Sequence, residues 1–488
     1  MKKFIFIIFL FIGISNYAQE INIDSLRAEA EQGNAKAQSS LGLCYYNGES
    51  VKQDYRQAVY WWKKAAEQGY AKAQNNLGAC YAGSKGITQD YKQAVYWYTK
   101  AAEQGYAGAQ CNLGVCYYVG QGITQDYKQA VYWYTKAAEQ GNAKAQNNLG
   151  ACYAESKGIM QDYKQAVYWY NKAAEQGYAK AQNNLGRCYA KGEGVEKDDK
   201  QAVYWYTKAA EQGDAKAQND LGVCYDNGEG VTQDYKQAVY WYNKAAEQGY
   251  ANAQNNLGKS YAKGEGVTQD YKKAVYWYNK AAEQGNAKAQ NNLGACYAES
   301  KGITQDYKQA VYWYTKAAEQ GYASAQCNLG VCYYVGQGIT QDYKQAVYWW
   351  KKAAEQGDGQ SQYNLGSCYH DGQGVTQDYK QAVYWWKKAA ELNNPDAQYQ
   401  LGICYLGGLG TRQDYNTGLY WLELSARNNN PEGQYWLGKI YYQLFSDRGK
   451  EEHRKLAIYW LELSAGQGNA DAIDLLKNIK KQNNGKNK

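Results

Sequence analysis

Residues 71–106 read AKAQNNLGACYAGSKGITQDYKQAVYWYTKAAEQGY, and this stretch decides the fold. From Ala71 to Ala82, the residues Ala73, Gln74, Leu77, Gly78, Cys80 and Tyr81 fall on one face at about 100° per residue, which predicts an amphipathic helix. Gly83, Ser84, Lys85 and Gly86 break it. Asp90 stands where a second helix would be capped, with Gln93 three residues on to complete a capping box. Ala94, Trp97, Tyr98, Ala101 and Ala102 share a face of that helix, and Gly105 suits a left-handed C-cap.

The same text is copied along the chain. Leu-Gly pairs recur at intervals of 36 residues from Leu41 to Leu437, and tryptophan keeps step from Trp61 to Trp421. Trp460 arrives three residues late, after an insertion around Leu444–Glu452, and Ala470 to Ile479 begin one more first helix. Two late units carry Asn393 and Asn429 at the Gly105 position, the other residue type that accepts a left-handed backbone. The only two prolines, Pro395 and Pro431, follow Asn394 and Asn430, as a first helical residue follows its cap. A hairpin this small cannot bury its own apolar face, so stability has to come from stacking on neighbours. The expected fold is all-α: a solenoid of about twelve 36-residue helix–turn–helix repeats.

The ends read differently. Lys2 and Lys3, the apolar run Phe4 to Ile14 and small or polar residues to Ala18 read as a signal peptide over residues 1–18. An uncleaved N-terminal anchor is the second reading. Repeats cover 23–479, and 480–488 read as a basic, disordered tail. Without Lys2 and Lys3 the net charge falls from +7 to +5 over a long chain, too mild for nucleic acid. The chain is expected to be exported, to the periplasm or beyond, with no integral membrane segment after cleavage.

One unit shows a familiar order: Ala217, Leu221-Gly222, Tyr225, Gly228-Glu229-Gly230-Val231, Asp234, Ala238, Trp241-Tyr242, Lys244-Ala245-Ala246 and Gly249. The pattern resembles the Sel1-like repeat family, relatives of tetratricopeptide repeats. The resemblance implies a right-handed superhelix, first helices along its concave side, and an adaptor or scaffold role with protein or peptide partners. Bacterial relatives are often exported and meet host proteins or cell-envelope components. Cysteine-rich members bridge two cysteines per unit, but ten of the twelve cysteines here hold one position per unit, from Cys44 to Cys404, on the packing face. Equivalent atoms of stacked helices lie about 10 Å apart, too far for a disulfide, so these read as buried thiols. Cys111 and Cys327 fall outside the series and are candidates for exposure.

Chemistry is sparse. His370 and His453, the only histidines, lie in different repeats; no metal-ligand spacing or phosphate-cradling loop is present, and no cofactor is implied. Some relatives are associated with β-lactam hydrolysis, and Ser260-Tyr261-Ala262-Lys263 matches S-x-x-K, but without S-D-N or K-T-G and in a buried slot. A β-lactamase-like or cell-wall hydrolase is the minor alternative to a non-catalytic scaffold.

Binding residues are expected on the first helices. Asn147, Asn148, Asn183, Asn184, Asn255, Asn256, Asn291 and Asn292 form paired amide positions. They suit an extended peptide backbone, or they bond one another across repeats. Tyr363, Tyr399, Tyr435 and Trp436 replace amides near the C-terminal end, either as a binding hot spot or as packing over the stack end. The slot after Leu-Gly varies, with Arg187 and Lys259 as candidate specificity residues. A stripe of tyrosines on the second helices, Tyr60 to Tyr459, either grips glycans and other envelope ligands or lies over lysine stems.

Overall fold

The computed structural model describes residues 22–486, with side chains described through Ile479. The signal peptide expected at 1–18 lies outside the described residues. Twenty-six α-helices and no strand occur among those described. The first are α1 (Ile23–Glu31), α2 (Ala35–Asn47), α3 (Tyr55–Glu67), α4 (Ala71–Gly83) and α5 (Tyr91–Glu103). From α2 onward, even-numbered helices are first helices and odd-numbered ones second helices. The chain divides into two compact units, one ending at Gln233 and one starting at Asp234.

Each helix has a local cause. Asp90 Oδ1 accepts from the backbone N–H of Lys92 (2.9 Å) and of Gln93 (3.1 Å), neutralising two orphan donors of α5. Its own N–H donates to the Tyr81 carbonyl, so the cap is also tied to α4. That bond occupies the donor a capping box would give to the Gln93 side chain, and the expected box is only half formed. Asn393 (φ 61°) and Asn429 (φ 65°) take the left-handed conformation, and Asn394 and Asn430 cap the helices that begin at Pro395 and Pro431.

The core lies between hairpins. Leu77 and Cys80 of α4 cluster with Ala58, Trp62, Ala65 and Ala66 of α3. Ala94, Tyr98, Ala101 and Ala102 of α5 cluster with Leu113 and Cys116 of the next first helix, all these residues being at most 8 % exposed. Gly78 sits in mid-helix because of Tyr98: a Cβ there would stand 2.8 Å from the ring and 3.1 Å from the Ala94 carbonyl. From Gly42 to Gly366 the Leu-Gly glycine is therefore a seat for an aromatic ring, and at Gly402 and Gly438 for Leu422 and Leu461, not a helix end. Trp97 is half-buried and packs on the cluster that joins Ala58, Val59 and Trp62 of the preceding second helix α3 to Leu77 and Cys80 of its own first helix. Tyrosine thus fills a hairpin while tryptophan joins it to the one before. Gly86 closes the joint from the loop side, where any side chain would strike the Tyr55 backbone of the previous second helix.

A second joint is polar. Gln74 is 4 % exposed; its Nε2 donates to the Ala66 carbonyl of the preceding hairpin (3.1 Å), and its Oε1 accepts from Gln104 Nε2 of its own (2.8 Å). The first half of this pattern recurs at Gln38, Gln110, Gln146 and Gln182, and, in the second compact unit, at Gln254, Gln290, Gln326, Gln362, Gln398 and Gln434. α1 takes the place of a missing second helix at the N-terminal end, its Ala30 carbonyl accepting from Gln38.

At the other end, the insertion lengthens α24 (Pro431–Arg448) to 18 residues, closed at Gly449 (φ 66°) before α25 (Glu451–Gly466). α26 (Ala470–Lys486) is anchored by Leu476 and Ile479, and its helix continues through most of the segment expected to be disordered. The Lys, Gln and Asn residues that follow the anchor are compatible with helix and simply extend it.

Candidate binding face of the first helices

The paired amides divide by one residue of helix rotation. Asn147, Asn183, Asn255 and Asn291 are at most 9 % exposed, which corrects the expectation that both members of each pair line an open surface. Asn148, Asn184, Asn256 and Asn292 are half-buried. The two rows bond each other: Asn184 Nδ2 donates to Asn147 Oδ1 (2.9 Å) and Asn292 Nδ2 to Asn255 Oδ1 (3.0 Å). Most of the amide chemistry is spent joining neighbouring first helices. Asn148 Oδ1 lies 3.4 Å from Asn147 Nδ2, and the same side chain interacts with the Tyr134 hydroxyl on the notch floor.

Between successive first helices lies a hollow that recurs with the same construction. Its floor is the aromatic side chain that packs on a Leu-Gly glycine. One wall comes from positions two and five after that Leu; the other comes from the next first helix. Val115, Tyr118, Tyr134, Asn148 and Ala151 enclose about 320 Å³. Leu43, Tyr46, Trp62, Asn76 and Ala79 enclose about 190 Å³. In the second compact unit Val331, Tyr334, Trp350, Asn364 and Ser367 enclose about 270 Å³. In each, a large aromatic replaces the alanine found at Ala82 or Ala154. A fourth notch, of about 190 Å³, is charged: Arg187, Lys191, Asp220 and Glu229 surround Tyr206. A separate hollow of about 410 Å³ beside Arg27 and Tyr45 lies on the loop side, walled by cap residues such as Asp54 that already bond backbone.

Arg187 therefore lines a notch, while Lys259 is simply exposed. Tyr363 borders the Trp350 notch and gives its carbonyl to Trp386 Nε1 (3.2 Å). Tyr435 packs against the terminal core of Leu461, Ala472, Leu476 and Ile479. Burial raises the Tyr399 hydroxyl above its ordinary pKa, the Glu432 charge adds to this, and a hydrogen bond with Trp436 partly offsets it. Tyr435 and Trp436 meet edge to face at 6.1 Å, with the Lys439 ammonium 4.6 Å from the Trp436 ring. Of these four, Tyr435 covers the stack end and only Tyr363 borders one of the notches.

On the opposite side, Tyr96 is 50 % exposed, its ring edge to face with Trp97 at 5.0 Å and the Lys100 ammonium 5.8 Å from its centre. The arrangement repeats from Tyr60–Lys64 (4.6 Å) to Tyr384–Lys388 (4.9 Å). Each ring from Tyr60 to Tyr384 is thus already occupied by its own lysine and tryptophan, while among the described residues Tyr420 and Tyr459 meet Trp421 and Trp460 alone.

All twelve cysteines are buried and unpaired, Cys111 and Cys327 included; these two were candidates for exposure. They occupy the inner amide position, which the next hairpin covers. Burial pushes Cys80 and Cys152 up to about 12 and Cys111 up to about 11, holding them as unreactive thiols. Ser260 Oγ bonds the Asn256 carbonyl (3.2 Å), whereas Lys263 pairs with Glu265 (3.3 Å), so the S-x-x-K residues have separate partners. No cluster of three potential metal ligands occurs among the described residues, and no described helix is long and apolar enough to cross a membrane.

The chain matches the Sel1 repeat profile in twelve consecutive segments, 35–70, 71–106, 107–142, 143–178, 179–214, 215–250, 251–286, 287–322, 323–358, 359–394, 395–430 and 431–469. It is similar to a protective antigen of uropathogenic Escherichia coli strains displaying an SLR fold, at 40 % identity over 93 % of this chain and 97 % of that one, with a TM-score of 0.68. A Sel1 repeat protein from Oxalobacter formigenes is 36 % identical over 62 % of this chain and 88 % of its own, with a TM-score of 0.47. No curated protein matches at a significant level.

Proposed function

The chain belongs to the Sel1 repeat family, and from the notches of its first helices we propose that it is a non-catalytic scaffold, exported from the cytoplasm, that binds an extended segment of a protein partner. The observation that carries this reading is the recurrence of one hollow with exchangeable walls. An interior built only for stability would have no need to set Tyr46, Tyr118 and Tyr334 among alanines at its solvent edge. Concave sites with an apolar floor and a few polar groups are the usual form of a side-chain pocket. The half-buried amides beside them can address a peptide backbone.

Export rests on the basic and apolar leader of residues 1–18. The similar E. coli protein is a protective antigen, a description that fits display outside the cytoplasm. Buried thiols of raised pKa suit an oxidising compartment, since few thiolates are offered for exchange.

Affinity capture with the mature chain tests the reading. Tyr118→Ala and Tyr334→Ala together should weaken the captured complex at least tenfold, about 1.4 kcal/mol, at a temperature where the variant, which loses ring contacts with Tyr127 and Trp350, remains folded. Binding that survives both substitutions, and the loss of Tyr363, would place the partner elsewhere. N-terminal sequencing of the secreted material tests export: a start near Gln19 is expected, and an intact Met1 in the cytoplasm would refute it.

A further inference from the structure

Three of the four notches described lie in the first compact unit, floored by Trp62, Tyr134 and Tyr206, two repeats apart from one another. The first two have largely aromatic and aliphatic walls. The third is ringed by charge, and its charges are unequally committed. Asp220 accepts from Asn183 Nδ2 (3.2 Å) and Asn219 Nδ2 (3.1 Å). Glu229 accepts from Asn227 (3.1 Å), and Asp214 caps its helix through the Ala217 N–H (2.9 Å). Glu155 accepts from the Tyr118 hydroxyl (3.3 Å), and Glu193 pairs with Lys191 (3.4 Å).

Each of these carboxylates therefore has a hydrogen-bond or ion-pair partner within 4 Å, and neither Arg187 nor Lys216 is among them. Arg187 and Lys216, both half-buried, make no hydrogen bond or ion pair with any described residue. Lys216 occupies the position that Lys144 holds beside the Tyr134 notch. Burial, then repulsion from Arg187, lowers the Lys216 pKa against the pull of Asp220, Asp214 and Glu155, so the two cations are close enough to disfavour each other. A guanidinium left half-desolvated and unpaired is costly unless something outside the chain completes it.

We propose that the Arg187–Lys216 notch receives an acidic side chain of the partner segment while the Tyr118–Tyr134 notch receives an apolar one. This rests on the peptide-binding reading and adds its specificity. Neighbouring first helices pack about 8–10 Å apart, and an extended chain advances about 3.3 Å per residue. Two repeats thus correspond to a separation of about five or six residues between the apolar and acidic anchors.

The test is selection of a display library of random twelve-residue peptides on the mature chain. Wild type should enrich sequences with Asp or Glu five or six residues from an aromatic or aliphatic residue. Arg187→Glu should lose the acidic preference, or exchange it for Lys or Arg, while keeping the apolar one; Tyr118→Ala should do the reverse. Arg187→Gln, milder for folding, should weaken a selected peptide about tenfold and flatten its salt dependence. An acidic preference that persists in both Arg187 variants, or enrichment without any acidic preference, overturns this specificity and leaves peptide binding standing. A wild-type chain that enriches nothing overturns both.

Discussion

On α8 (Ala143–Glu155), Gln146 and Asn148 stand two residues apart and carry the same amide, yet the fold uses them differently. Gln146 is buried and bonded on both sides: to the Ala138 carbonyl of the preceding hairpin (3.1 Å) and to Gln176 of its own (2.7 Å). Asn148 looks into a notch, with its oxygen 3.4 Å from the nearest amide donor. The inner row, with its glycines, alanines and thiols, repeats because each member answers to backbone that also repeats. The outer row carries serine, asparagine, aspartate, glutamine or tryptophan because it answers only to side chains and to whatever binds there. Conformity marks the joint and variation marks the site.

The strongest way to break the inner face alone is alkali. Its thiols titrate far above their ordinary value of about 9 because burial disfavours the thiolate: Cys80, Cys152, Cys224 and Cys368 are pushed up to about 12, and Cys116, Cys188 and Cys296 up to about 11. Raised folded pKa values mean that the unfolded chain binds fewer protons once pH exceeds about 9. The stabilisation is complete below pH 9 and is lost as pH climbs toward 11–12. Each such thiol removes up to about 1.4 kcal/mol per pH unit in that window. Buried tyrosines such as Tyr98 and Tyr134 join at higher pH. Urea midpoints at pH 8, 9.5 and 10.5 should fall in order, and Cys152→Ala should shallow the slope. A midpoint constant across that range would contradict the burial argument.

A sharper contrast comes from substituting both amides of α8. Gln146→Ala leaves the buried Ala138 carbonyl without its donor, which costs about 1–3 kcal/mol. Asn148→Ala stays within about 0.5 kcal/mol, as a change on a partly solvated face does. Because a stack is a sum of nearest-neighbour interfaces, hydrogen exchange should quicken around that joint and not in distant hairpins. Equal losses from the two substitutions would mean that the outer row is structural after all.

What the sequence made legible follows the same division. The 36-residue period, the left-handed Asn393 and Asn429 and the capped prolines are local signals, and local backbone geometry decides them. Burial of Cys111 and Asn147 depends instead on how closely the next hairpin approaches, which no spacing within a helix records. The failed capping box at Asp90 has the same origin, since its N–H is taken by Tyr81 on another helix. Gln74 offered a usable clue: a glutamine on an apolar face, repeated from Gln38 to Gln434, has to meet a partner somewhere. Its partners lie eight residues before it and thirty after, beyond any helical periodicity. The notches were partly visible as Tyr46, Tyr118 and Tyr334 standing among alanines, but their floors come from the second helix.

The smallest expected effect tests whether the inner row really obeys one rule. Gln104, Gln140 and Gln176 each donate to the buried glutamine of their own hairpin. At the corresponding place after α21 (Tyr379–Glu391) stands Leu392, 55 % exposed, and Gln362 Oε1 is left buried without a donor. Asn428 resumes the pattern one hairpin later by donating to Gln398 (2.9 Å). Leu392→Gln should supply the missing donor as Gln356 does for Gln326 (2.8 Å) and raise stability by about 1 kcal/mol. The gain depends on the acceptor, so it should vanish in a Gln362→Met background, where no oxygen awaits a partner. A urea series on the four proteins of that cycle reads the coupling directly. An equal gain in both backgrounds would credit the removal of an exposed leucine, and the buried glutamine row would lose its claim to hold the hairpins together through both ends of its amide.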